Sequence, residues 1–230
     1  MTGETIELGN RPCRLYAQPR PDAVLLQPVD EHDLNGMDAE AAALSQATGR
    51  SFLLCALPVE DWFRDLSPWP APAPFGGQAF GSGAAATLQY IQSALLPALK
   101  RHASLTGREP KILGGYSLAG LFALWCGQET DLFHGIAAAS PSVWFPGFLE
   151  KAREKTMGAR RVYLSLGDRE EKTRNPVMAS VGSCIRSLHA HYSACPQLET
   201  TLEWNAGNHF QEPEKRMAKA FAWVLASDRL

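Results

Sequence analysis

The sequence predicts a single α/β domain, with a mostly parallel twisted sheet covered by helices on both faces. Short apolar runs of strand length alternate with helix-length segments along the chain, the pattern of right-handed βαβ units. Most of the strand-like runs are apolar with little interruption, as buried parallel strands are. Residues 118–127 form a helix-length segment that is apolar nearly all round, which belongs in the middle of a layered domain.

Each element follows from its local pattern. Residues 23–27 (Ala-Val-Leu-Leu-Gln) read as a buried strand, and residues 37–48 as an Ala-rich helix that stops at Gly49. Residues 52–57 are a second buried strand. Between residues 84 and 101, Leu88, Ile91, Leu95 and Leu99 fall on one helical stripe, against which Pro97 is a local objection. Strands are expected at 111–116, 136–139, 161–166 and 198–204. Helices are expected at 118–127, 148–155, 176–191 and 213–225.

One stretch stands apart. Residues 58–83 hold five of the sixteen prolines together with Trp62, Phe63, Trp69, Phe75 and Phe80, so neither helix nor central strand is expected there. A loop of this length and aromatic content is expected to be ordered and to pack over something, whereas a domain linker rarely carries so many rings.

Composition narrows the class further. At 45% hydrophobic and 20% charged residues the chain has a globular balance, not a disordered one. A net charge of −2 predicts no broad nucleic-acid or anionic-membrane surface. No apolar run approaches the roughly 18–20 residues of a membrane span. The first residues are acidic and lack the basic and apolar regions of a secretory signal. Five widely spaced cysteines without a C-x-x-C pair read as reduced thiols, so a cytoplasmic location is expected.

The sharpest local feature is Gly114-Gly115-Tyr116-Ser117-Leu118-Ala119-Gly120, between a β-like run and an apolar helix. A G-x-S-x-[GA] string is weak alone, but a strand, a tight turn and a helix are what a nucleophile elbow needs. Small residues are demanded because the turn is crowded, and Ser117 is expected in a strained conformation at the positive end of the helix. Serine needs a base, and in this topology acid and histidine follow in chain order on later post-strand loops. His209, in Trp204-Asn-Ala-Gly-Asn-His-Phe210, follows the last expected strand. His32, in Asp30-Glu-His-Asp33, is the rival base, although that stretch reads first as a solvated acidic loop. The acid is expected after residues 161–166, where spacing alone leaves Asp168, Glu170 and Glu171 open. For an oxyanion, the Leu118 amide is one expected donor. The other is expected after residues 23–27, where Pro28 has no amide proton and Val29, then Asp30, come next.

Other signatures fail on context. Gly81-Ser-Gly-Ala-Ala-Ala86 follows a Pro-rich loop, not a strand, and no acid stands roughly twenty residues on. No phosphate-binding loop, H-E-x-x-H or zinc spacing is present, so no cofactor or metal is expected.

With Gly-Tyr-Ser-Leu-Ala-Gly, Ser140-Pro-Ser-Val-Trp144, Gly-Asp-Arg-Glu-Glu and Gly-Asn-His-Phe in this order, the chain resembles the esterase family of the α/β-hydrolase fold. The resemblance is to the group that includes trilactone siderophore (enterobactin-type) esterases and esterase D-like enzymes, and it runs from about residue 23 to residue 225. It implies a domain without a large cap and hydrolysis of a small-molecule carboxylic ester through Ser117 and His209. Members often carry the acid as Gly-x-x-Glu, which ranks Glu170 above Asp168 and Glu171. It also places Trp144 near the pocket; independently of it, the Pro/Trp loop, including Trp62 and Trp69, is expected to form one pocket wall. Ala119 replaces the usual glycine, and Gln27-Pro-Val-Asp lacks the His-Gly of many lipases. An acyltransferase or thioesterase using the same serine, or a non-catalytic binding module keeping the shell, are the alternatives.

Overall fold

The computed structural model describes residues 1–73 and 77–226. Among them, eight strands form one sheet: β1 (Glu4–Leu8), β2 (Arg11–Ala17), β3 (Ala23–Val29), β4 (Phe52–Pro58), β5 (Lys111–Tyr116), β6 (Gly135–Ala139), β7 (Arg161–Gly167) and β8 (Glu199–Asn205). Their spatial order is β1-β2-β4-β3-β5-β6-β7-β8. All neighbours from β4 through β8 are parallel, while β1 and β2 add an antiparallel hairpin beside β4.

The helices are α1 (Glu31–Ala47), α2 (Trp62–Asp65), α3 (Ala84–Tyr90), α4 (Leu96–His102), α5 (Ser117–Glu129), α6 (Phe148–Glu154), α7 (Pro176–Ala179), α8 (Val181–Ser193) and α9 (Pro213–Leu225). α1 and α9 cover one face, where Leu25, Leu54 and Ile112 meet Met37, Leu44, Met217 and Phe221. On the other face, Val24, Leu26 and Leu113 meet residues of α5 and its neighbours. Alternate residues of one strand therefore go to two different cores, which is why these strands are apolar at nearly every position.

Four boundaries differ from the sequence expectation. β1 and β2 are additional, because the Glu4–Leu8 stretch is polar and carries no apolar run. α1 begins at Glu31, not residue 37: Asp30 caps it by accepting the Asp33 N–H at 2.7 Å, so Asp30-Glu-His-Asp33 is a helix start rather than a solvated loop. The helix at 84–101 accommodates Pro97 through a π-turn at Ile91–Leu95, in which the Leu96 N–H reaches back to the Ile91 carbonyl. The helix at 176–191 divides at Ser180 into α7 and α8.

The Pro/aromatic stretch packs against the domain where described; Pro74, Phe75 and Gly76 lie outside the described residues. Contrary to expectation it holds one helical turn, α2, capped by Asp61, whose carboxylate accepts the Arg64 N–H at 2.9 Å. The buried Phe80 ring packs on Phe63, Trp144 and Phe145, and Ala71 and Phe80 form an isolated bridge.

Among the described residues no helix is long and apolar enough to cross a membrane. One charged residue is out of place in this core. Glu40 on α1 is 3% exposed, with only the Gln27 amide donating to it, at 3.2 Å. Burial, against that hydrogen bond and together with Asp33 and Glu214, pushes its carboxyl well above the ordinary 4.5. The native state therefore keeps a proton that the unfolded chain releases above pH 4.5, and stability falls as pH rises from there toward the folded value. Glu40→Gln is expected to raise the thermal midpoint at pH 7 and to lose most of that gain near pH 4, as scanning calorimetry at the two pH values would show.

Candidate active site

Every parallel strand from β3 to β8 except β4 delivers a residue of interest to the same carboxyl edge of the sheet, the edge where open α/β sheets build their sites. β5 ends at Tyr116 and α5 starts directly at Ser117, whose φ is +56°, a left-handed value that only the surrounding packing can hold. The turn closes because Gly115 has no side chain: a Cβ there would stand 2.4 Å from the Ala119 backbone carbon. Ala119 fits in the last position of the motif, buried, while Gly120 keeps α5 against Pro141. No side chain caps the first amides of α5, so the Leu118 N–H stays at the positive end of the helix beside Ser117.

Three distant segments meet there. His209 Nε2 lies 3.1 Å from Ser117 Oγ, and His209 Nδ1 lies 2.7 Å from Glu170 Oε2. The other Glu170 oxygen accepts from Ser140 Oγ and the Gly167 N–H, both at 2.7 Å, and from Arg216 Nη1 at 2.9 Å. Burial pushes the Glu170 carboxyl up, but the hydrogen bond and charge of His209, with the Ser140 and Gly167 donors, outweigh it and hold the acid below its ordinary value.

The other two acids have different partners. Asp168 accepts the Gly207 N–H at 2.8 Å and so ties the loop after β7 to the loop carrying His209. Glu171 pairs with Arg186 at 2.9 Å. His32 lines the serine cleft from the first turn of α1.

Of the three tryptophans, Trp62 lines a cleft of about 160 Å³ with Ser117, His209, Asp30 and Phe210. Trp69 is not brought there: its indole donates to the Pro146 carbonyl at 2.9 Å, and its ring faces Lys151 in a separate depression. Trp144 is half-buried against Phe80 and is not among the residues lining the serine cleft. Val29 is also displaced from its expected role. It is the buried last residue of β3 and its carbonyl accepts from Val59 N–H at 3.1 Å. The N–H and C=O of one strand residue point the same way, so its amide faces β4. Asp30, next in the chain, lines the cleft instead.

Sequence reasoning missed four contributors. Arg216, on α9 and 3% exposed, donates to Glu170, to Tyr116 Oη at 3.0 Å, to Ser140 Oγ at 3.2 Å, and to the carbonyls of Ala206 and Asn208. Tyr116 donates its hydroxyl to the His209 carbonyl at 2.7 Å; burial, with the Glu170 charge, pushes that hydroxyl up to about 12. Ser140 has φ +45°, and Ser142 Oγ is 3.3 Å from Ser117 Oγ. Ser140-Pro-Ser142 was a visible signal, since it follows a strand at the same sheet edge. Among the described residues no group of three or more His, Cys, Asp or Glu side chains could hold a metal ion.

A mostly parallel sheet of this order, with the serine at a strand–turn–helix elbow, is an α/β-hydrolase fold, and solved structures agree. The chain is similar to an IroE-like serine hydrolase from Shewanella oneidensis (16% identity, TM-score 0.79, covering 96% of this chain and 79% of that one). It is also similar to the siderophore hydrolase EstB from Aspergillus nidulans (18%, 0.75, 96% and 94%). Enterochelin esterase from Shigella flexneri matches at 15% identity and TM-score 0.70, with 98% of this chain covering 59% of that one. A comparison with curated proteins finds no match. The model of the Esterase family, described as "Putative esterase", matches residues 37–220. The chain belongs to that family and is a carboxylic ester hydrolase.

Arg216 and Glu170 form a buried pair, at 3% and 4% side-chain exposure, and removing one partner strands the other's charge. Arg216→Met is expected to cost about 3–5 kcal/mol of stability in urea unfolding. Arg216→Met combined with Glu170→Gln should cost less than the sum of the two single changes.

Proposed function

We propose that the protein cleaves a small-molecule carboxylic ester by two-step acyl transfer, with Ser117 as nucleophile, His209 as general base and Glu170 as the acid that orients the imidazole. The observation that carries this reading is the unbroken relay from Ser117 Oγ through both His209 nitrogens to Glu170, at 3.1 and 2.7 Å.

In the first step His209 Nε2 takes the Ser117 proton as Oγ bonds to the ester carbonyl carbon and the carbonyl π pair moves onto oxygen. Collapse of this tetrahedral species expels the alcohol oxygen, which takes the proton from the imidazolium. Water then gives a proton to Nε2 while its oxygen attacks the acyl carbon. The second collapse frees the carboxylic acid and returns the proton to Ser117. The Leu118 amide and the Asp30 amide are the oxyanion donors in this reading, and Trp62 is a wall of the substrate cleft. Ionised Glu170 stabilises the imidazolium, which the donors holding its carboxyl low support. The free cysteines fit a reducing, cytoplasmic setting.

A fluorophosphonate probe and a short-chain p-nitrophenyl ester test the mechanism. Labelling is expected at Ser117 and lost in Ser117→Ala. Glu170→Gln should lower kcat by roughly 10³–10⁴, the scale at which a mis-held imidazole tautomer fails. Asp168→Asn, which alters a loop tie, should lower it far less. Labelling elsewhere, or a larger loss from Asp168→Asn than from Glu170→Gln, would reassign the site.

A further inference from the structure

Beside the serine cleft lies a second and larger cavity, of about 400 Å³. The two adjoin, sharing His32, Asp33, Tyr116, Phe210 and Pro213 in their walls. The larger one is lined by Asp33, Glu40, Glu212 and Glu214, and the serine cleft adds Asp30; neither has a lysine or arginine in its described lining. Glu212 is paired with Lys215, and the guanidinium of Arg216 is spent on Glu170 and its neighbours.

The lining also holds two buried acceptors without partners. Glu40 is 3% exposed and Gln27 2% exposed; Glu40 Oε1 and Gln27 Oε1 have no hydrogen-bond donor, although the two side chains touch through Gln27 Nε2 and Glu40 Oε2. A buried acceptor without a donor costs stability, and with no cation beside it Glu40 keeps its proton; an ammonium there favours the ionised, accepting form. Such a pair persists where ordered water or a ligand serves it.

We propose that this cavity is a recognition subsite for a primary ammonium group carried by the ester substrate, with Glu40 and Gln27 as its buried acceptors and Asp33 adding negative charge at the junction with Ser117. The group must be cationic because the lining is one-signed. N–H donors suit the two unpartnered acceptor oxygens, and an ammonium has three. An organic cation fits better than a metal ion, since no three acidic or histidine side chains among the described residues converge closely enough to hold one. An anionic ester is disfavoured by the same charges.

The inference deepens the proposed activity and rests on it for the presence of an ester. Two measurements keep the claims separate. Turnover of p-nitrophenyl ω-aminohexanoate, corrected for spontaneous hydrolysis, is compared with that of the isosteric heptanoate. Binding of n-hexylammonium is compared with that of hexan-1-ol by NMR titration, which needs no catalysis. The ammonium compound is expected to be preferred by about tenfold or more in each, and the preference to fall about tenfold in Glu40→Gln. Asp33→Asn, at the junction, should weaken it in the same direction. Equal binding of amine and alcohol to the wild-type protein overturns the subsite, as does a preference unchanged in both variants. Amine binding that Glu40→Gln weakens, without turnover of any ester, upholds the subsite and removes the catalytic reading.

Discussion

The site depends on one buried carboxylate being fully ionised. Glu170 sits at 4% side-chain exposure, where an unpaired charge would take up a proton. Two side chains, one backbone amide and the imidazole donate to it, so that the charge is retained while one oxygen is left for His209. The guanidinium is central because its geometry is a fork. Its Nη1 serves Glu170, Ser140 and Tyr116, while Nη2 holds the carbonyls of Ala206 and Asn208 just before His209. The acid and the loop that bears the base are therefore fixed to the same cation. A displacement of either would break bonds to both.

The backbone around this cluster is strained where the fold can bear it. Ser117, Ser140 and Glu212 all have positive φ, and they follow β5, follow β6 and precede α9 respectively. Each is anchored by a regular element, and Ser140 is held further by its N–H to the Ser165 carbonyl and its hydroxyl to Glu170. Left-handed conformations cost about 1–3 kcal/mol apiece and survive where packing over-determines them. A parallel sheet buried on both faces supplies that rigidity, which makes the sheet edge the natural place for a precise constellation.

Legibility in the sequence followed the range of the interactions. Strands β3 to β7 could be read because burial on both faces makes each one a nearly continuous apolar run. Ser117, Glu170 and His209 could be placed on their loops because each sits in a local string next to a recognisable strand. Arg216 could not: in Glu-Lys-Arg-Met-Ala-Lys it looks like one more surface charge, and only the approach of α9 to the end of β5 buries it. Trp62 and Trp69 have the same surroundings in sequence, yet one lines the serine cleft and the other a different depression, because the turn of α2 separates the directions they face. The missed start of α1 has the same origin. A capping aspartate is indistinguishable from a loop acid until the helix behind it is recognised.

In the proposed acyl transfer, the acidic surroundings of the serine act in opposite directions on the two charges created. Carboxylates at Asp30 and Asp33 favour the imidazolium of His209 and disfavour an oxyanion on the substrate. Burial, reinforced by the Asp30 charge, pushes Asp33 up to about 6, so much of this field is present at neutral pH. In the proposed mechanism the compensation comes from the backbone, from the first amides of α5, which no side chain caps, and from the Asp30 amide at the start of α1. In this reading the two tasks are separated. Dipoles receive the charge that forms on the carbonyl oxygen, and side-chain carboxylates receive the charge that forms on the base. A substrate that brings its own positive charge into the neighbouring cavity relaxes the remaining repulsion among those carboxylates, so recognition and transition-state stabilisation draw on the same field.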